Sequence, residues 1–233
     1  MRSSSNAATP WHEFGHLAFD VDGTLLNSNL AHVWAWQDAI ESEQLFFPHL
    51  SLFLQLGLPG RQIVEKFAFA LRDPDTAQRI AHRAGQIYTE KYVTLIEPFS
   101  GVHKLLQQLH ARGRKLHALT SATTAEARAM MTRFKLDRYF DTVVTSKDSG
   151  AGKPTPEPFS SLRERVGTRL KLIALGDSPY DFKSATAAGV PFVYIGHGGY
   201  PREWFQRAHS SFFNVAEMLK TLPRSGANQR RAA

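Results

Sequence analysis

The stretch Leu17–Ser28, LAFDVDGTLLNS, opens as an apolar run and changes character at two carboxylates, Asp20 and Asp22, followed by Gly23 and Thr24. A short apolar run that ends in a turn signal reads as a strand buried on both faces. Asp20 and Asp22 therefore fall at the end of a core strand. There, like charges beside an apolar interior raise each other's pKa and cost stability. The pair is either a solvated Asp-Gly turn or a site that uses the charge.

Working outward from this strand, the chain alternates from Glu97 onward between strand and helix patterns. The runs LHALTS (116–121), DTVVTS (141–146), KLIALGDS (171–178) and PFVYIG (191–196) read as strands, with 17–21 as a fifth. Between them, TTAEARAMMTRF, EPFSSLRERVG and YDFKSATAAG carry helical spacing. Before them Val102, Leu105, Leu106 and Leu109 form one apolar stripe, with Ser100 as N-cap and Gly113 as stop. Thr123 and Glu126 make a capping box. Short strands separated by helices predict an α/β fold, a three-layer, Rossmann-like, doubly wound parallel sheet. Residues 29–95 show helical spacing and no strand run, with Asp73-Pro74 as a helix start. They read as a helical insertion. The expected organisation is a disordered start (1–9), an α/β core (10–28 and 96–222), the insertion (29–95) and a disordered basic tail (223–233).

Composition sets the outer limits. At 233 residues, with 42% apolar and 21% charged residues, the chain suits one core and a satellite. It has no cysteine, so disulfides, thiolate nucleophiles and thiolate metal sites are excluded. No apolar run approaches the length of a membrane span, and the first residues lack the apolar stretch of a secretory signal. A cytoplasmic protein with no membrane partner is expected. The formal charge is +7, but Arg2, Arg224, Arg230 and Arg231 sit in end segments without acids. The body is only mildly basic, which suits a small anionic substrate and predicts no nucleic-acid partner.

In a doubly wound sheet, ligands bind beyond the carboxyl ends of the strands. The polar residues collect there. The first strand ends in Asp20 and Asp22, the second in Thr120 and Ser121, and the fourth in Gly176, Asp177 and Ser178, with Asp181 one turn later. Lys153 follows the third strand. Each alone is more often a cap or a turn, and their shared edge is what argues for a site. Three carboxylates and a lysine suit magnesium together with a phosphate. Asp20 and Asp177 are the first choices for ligands, and the helix after Thr120 offers free N–H groups to the anion. GAGKP is not a nucleotide P-loop, because Lys147 and Pro154 stand where that pattern needs Gly and Ser or Thr.

Together these residues resemble the haloacid dehalogenase superfamily, in its phosphatase branch with a helical cap, which includes phosphoglycolate phosphatases and β-phosphoglucomutases. DVDGT (20–24) is similar to its first motif, Thr120 to its second, Lys153 in GKPTPEPF to its third and GDSPYD (176–181) to its fourth. Order and spacing match from about Leu17 to Leu222. The resemblance implies that Asp20 is a nucleophile forming an aspartyl-phosphate and Asp22 the general acid and base. It implies Mg2+ held by Asp20, the main-chain carbonyl of Asp22, Asp177 and Asp181. Gly23, Thr120, Ser121 and Lys153 would hold the phosphoryl group. The insertion corresponds to the cap, with LLNS (25–28) as the first stretch of its hinge and Arg61 as a candidate contact to substrate. Asp22 argues against carbon–halogen cleavage, since the dehalogenases lack this second carboxylate. Lys66 and Lys91 lie in the cap without the context of a phosphonate hydrolase's imine-forming lysine.

The expected activity is Mg-dependent hydrolysis of a small phosphorylated metabolite, phosphoglycolate-like or a sugar phosphate, by a monomer or homodimer. Two alternatives stay open: a phosphosugar mutase of the same branch, and a metal-binding interaction protein on the same fold. The ten histidines lack ligand spacing and read as structural or surface groups. Trp34, Trp36, Met130 and Met131 read as packing residues.

Overall fold

The computed structural model describes residues 9–223, so the disorder expected at the two ends falls almost entirely outside it. The sheet is built from β1 (His16–Phe19), β2 (Lys115–Leu119), β3 (Thr142–Val144), β4 (Leu172–Gly176), β5 (Phe192–Ile195) and β6 (Ser210–Phe212). Its order is β3-β2-β1-β4-β5-β6, with every neighbouring pair parallel. The sixth strand is absent from the sequence reading. Its residues, Ser210, Ser211 and Phe212, are too few and too polar to register as an apolar run, and it gains strand character only by pairing with β5.

Alternation along β1 divides the core. Leu17 and Phe19 pack into one apolar cluster with Leu105, Leu106 and Leu109, and Ala18 joins another with Phe159, Leu162, Phe192 and Phe205. The helices, in chain order, are α1 (Asn29–Ser42), α2 (His49–Phe53), α3 (Gly60–Leu71), α4 (Pro74–Ile87), α5 (Val102–Ala111), α6 (Thr124–Arg133), α7 (Glu157–Val166), α8 (Pro179–Ala187) and α9 (Val215–Thr221). Gly101, with φ of 89°, caps α5 in place of Ser100, because the turn before the helix needs a left-handed residue. α1 ends at Ser42, short of the apolar residues to Phe47 that share its spacing.

The first four helices form the insertion. α1 packs on α4, and α4 on α3. The Asp73 side chain caps α4 by accepting from the N–H groups of Asp75 and Thr76, each at 3.1 Å. The chain leaves the core and returns to it through one narrow gate. Leu26 bridges Pro98, Asn27 donates to the Glu97 carbonyl at 2.9 Å and Phe99 to that of Leu25 at 3.0 Å. No helix of the described residues is long and apolar enough to cross a membrane.

Candidate active site

Strand order reverses on either side of β1, whose neighbours are β2 and β4. At such a switch point the loops leaving adjacent strands diverge and open a crevice. Asp20 follows β1 and Asp177 follows β4, so the two meet across it. Asp181 comes from the first turn of α8, where Ser178 is the N-cap. The Ser178 hydroxyl and N–H donate to Asp181 Oδ2 at 2.6 and 3.1 Å, which fixes the carboxylate facing the crevice. One oxygen each of Asp20, Asp177 and Asp181 lie within 4.8 Å of one another, and all three residues are buried. Lys153, 4% exposed, is ion-paired to Asp20 Oδ1, and its Nζ lies 2.6 Å from Asp181 Oδ1.

The environment strains the charges of this cluster. Burial, then the charge of Asp181, raises Asp20, and the Lys153 ammonium only partly offsets them, leaving Asp20 pushed up to about 7. Asp177 is raised well above the ordinary carboxylate range by burial and by the charges of Asp20 and Asp181. Burial works against the Lys153 ammonium, but the charges of Asp181 and Asp20 outweigh it and raise its pKa. Three buried carboxylates against one ammonium leave negative charge in excess. A hard divalent cation with oxygen ligands fits that donor set.

Asp177 is held from both sides. Thr24 Oγ1 donates to its Oδ1 at 2.8 Å, and Asn29 Nδ2 to its Oδ2 at 3.2 Å and to the Gly198 carbonyl at 3.1 Å. Gly198 must be glycine, since a Cβ there would lie 1.6 Å from Asp177 Oδ2. Gly23, at φ of 77°, turns the chain beneath Asn29 and Asp177, and a Cβ would collide with both.

The Asp22 carboxylate stands outside this cluster. Ser28 Oγ donates to its Oδ1 at 2.6 Å, and His32 Nε2 lies 3.4 Å from the same oxygen. Burial pushes Asp22 up, but bonds to His32 and Ser28 and the charge of Lys153 outweigh it and hold the group below the ordinary carboxylate range. Asp20 and Asp22 both open on a cavity of about 500 Å³ beneath the helical insertion.

The other expected residues occupy different parts of this cavity's surroundings. Ser121 lines it and donates to the Gly57 carbonyl of the insertion at 2.8 Å. Thr120 is buried behind Ser121, its Oγ1 accepting from the Ala122 N–H at 3.1 Å. Arg61 is at the mouth, exposed and 3.7 Å from Glu65. The sequence reading misses Asn29, His32 and Tyr88. His32, read there as structural or surface, stacks on Tyr88 with ring centroids 4.1 Å apart and lines the cavity with it. The available signal was position: Asn29 and His32, three residues apart, share one helix face directly after the hinge.

The insertion is docked over the site. Tyr180 donates to the Leu54 carbonyl at 2.6 Å, and Tyr200 to those of Phe53 and Leu56 at 2.9 and 3.1 Å. Gln62 reaches the carbonyls of Ala151 and Lys153 at 2.8 and 3.2 Å.

The chain is similar to several known hydrolases. A pyrophosphatase, PpaX, of Halalkalibacterium halodurans is 26% identical over 193 residues, covering 79% of this chain and 85% of that protein. A phosphoglycolate phosphatase of Caulobacter vibrioides is 28% identical over 187 residues, covering 78% and 79%. The crystal structure of a hydrolase from Pseudomonas syringae superposes with a TM-score of 0.80 at 23% identity, covering 89% of this chain and 97% of that one. The profile described as haloacid dehalogenase-like hydrolase matches residues 17–195. With its doubly wound core, its cluster of buried aspartates and a match over most of its length, the chain belongs to the haloacid dehalogenase-like hydrolase family, on its phosphatase side.

Proposed function

We propose that this protein is a magnesium-dependent phosphatase acting in the cytoplasm on a small phosphorylated metabolite through an aspartyl-phosphate on Asp20. The observation that carries the reading is the division of labour between two neighbouring carboxylates. Asp20 is packed against Lys153 and two further aspartates, while Asp22 is turned to Ser28 and His32, and both face one cavity.

Asp20, Asp177 and Asp181, with the Asp22 carbonyl, would hold Mg2+, which when bound offsets the charge of nucleophile and phosphate as they approach. Lys153 occupies Asp20 Oδ1, leaving Oδ2 to attack phosphorus. A bond forms from Oδ2 to phosphorus as the ester oxygen leaves, and Asp22 gives that oxygen its proton. An arriving phosphate dianion raises Asp22 from its low resting value toward one that holds this proton. Asp22 then takes a proton from water, the water oxygen attacks the aspartyl-phosphate, and inorganic phosphate departs from Asp20. Lys153, Ser121, the Thr120 hydroxyl and the N–H groups opening α6 would hold the phosphoryl oxygens.

The test is phosphate release from a panel of monoesters with magnesium, with product isomers analysed in parallel. Hydrolysis by the native protein, abolished in Asp20→Asn with the circular dichroism spectrum retained, is expected. Turnover by Asp20→Asn at the native rate would overturn the covalent route. Isomer interconversion without phosphate release would replace hydrolysis by mutase chemistry.

A further inference from the structure

The cavity above Asp20 and Asp22 is walled on the insertion side by Trp36 of α1, Ile63 of α3, and Ala81, Ala84 and Gly85 of α4. Trp36 is held flat against Phe67, with ring centroids 5.3 Å apart and planes 7° from parallel. The small residues of α4 line the same cavity, and a Cβ built at Gly85 meets no atom within 4 Å. Deep on this side the polar groups Asn29 and His32 are engaged, Asn29 on Asp177 and His32 on Asp22. On this inner wall the Tyr88 hydroxyl makes no protein hydrogen bond, and its phenol is raised by burial and then by the charges of Asp22 and Glu126. The charged groups Arg61, Glu126 and Lys147 are exposed at the mouth.

A polyol laid against this inner wall would give up the hydration of several hydroxyls and meet one unengaged partner there, Tyr88, at a cost for each that is left unpaired. An apolar body would gain by the area it removes from water. Size permits such a body, because a benzene ring needs only roughly 150 Å³ and the cavity offers about 500 Å³. The geometry points to a substrate that is a phosphate monoester of an alcohol with an apolar, ring-sized body, lying between Trp36 and the Ala81–Gly85 face of α4 with one polar group near Tyr88. This rests on the phosphatase reading and narrows it, placing both glycolate and sugar phosphates among the poorer substrates.

The experiment compares kcat/KM for benzyl phosphate and 2-phenylethyl phosphate with that for glycerol 2-phosphate, glucose 6-phosphate and phosphoglycolate, all esters of unactivated alcohols. The aryl-bearing esters should lead by tenfold or more, mainly through KM. Gly85→Leu, which fills the space beside Trp36, should cost 2-phenylethyl phosphate at least tenfold while leaving phosphoglycolate within about threefold. Ala81→Leu serves as a second filling variant. A lead by the polyol esters, or an equal effect of Gly85→Leu on every ester, would overturn the assignment. Should no ester be hydrolysed, the phosphatase reading fails by itself. The cavity is then judged by calorimetric binding of benzylphosphonate to the native protein, saturable and weakened tenfold by Gly85→Leu if the assignment stands, and absent if it does not.

Discussion

At Asp20 burial and two neighbouring carboxylates oppose ionisation, and Lys153 alone favours it. The site therefore wants one more cation. Chelation should stop turnover and magnesium restore it. Magnesium should also stabilise the fold, by about 2.7 kcal/mol at a hundredfold its Kd, read as a rise in Tm that calcium-free chelator reverses. Asp20→Asn should lower kcat by roughly 10³-fold or more, as expected for loss of a covalent nucleophile. Its metal-free Tm should not fall by much, because a like charge leaves the cluster with it. The placement of Asp20, Asp22 and Asp177 just past strands, with Asp181 a turn further and Lys153 in the loop after β3, was legible because strand ends can be read from where apolar runs stop. His32 and Tyr88 were not. Their placement depends on how α1 and α4 pack over the core, and nothing in a histidine's neighbours along the chain reports that.

At the scale of elements, the capping box of α6 and the tyrosines under the insertion are the parts whose loss can be gauged. Thr123 accepts from the Glu126 N–H at 3.3 Å and Glu126 returns to the Thr123 N–H at 2.8 Å, just behind the residues expected to bind phosphate. Thr123→Ala should cost about 1 kcal/mol in urea unfolding and raise KM, since a frayed first turn presents its N–H groups poorly. Tyr200→Phe leaves the carbonyls of Phe53 and Leu56 without its hydroxyl, and should cost roughly 1 to 3 kcal/mol. Its KM should rise more than its kcat falls, because the loop it holds belongs to the cavity wall rather than to the reacting groups. Capping signals were read correctly at Asp73 and Thr123, where a side chain makes the cap. At Ser100 the reading failed, because the turn's left-handed backbone, and not a side-chain acceptor, selected Gly101. β6 escaped notice for a related reason, as three residues acquire strand geometry only from the neighbour they pair with.

For the molecule as a whole, two histidines, His117 buried and His197 half-buried, tie stability to pH. Burial lowers both His117 and His197 to about 4, and His117 is further lowered by the charge of His16, whose Nδ1 lies 3.0 Å from His117 Nε2. Groups held neutral in the fold but protonated near 6.5 when unfolded favour the native state fully above pH 6.5. That contribution is lost as pH falls toward 4. Between pH 7.5 and 5, His117→Asn should therefore lose less stability than the native protein. Taking the difference between the two proteins cancels the titration of the aspartate cluster. The overall α/β class was legible because strand and helix periods alternate cleanly after Glu97, whereas the docking of the insertion onto the core was not, being made of long-range bonds such as Gln62 to Ala151. The gate through which the chain enters and leaves that insertion has a bearing on how such a protein diversifies. Because residues 25–27 and 97–99 lie side by side, joined by a bridge and two hydrogen bonds, the segment between them can lengthen, shrink or be exchanged for another without moving the ends of β1. Ancestral duplication followed by replacement of this one continuous stretch would furnish new appetites to an unchanged chemical engine, and a chimaera spliced at Leu26 and Pro98 is the natural way to retrace it.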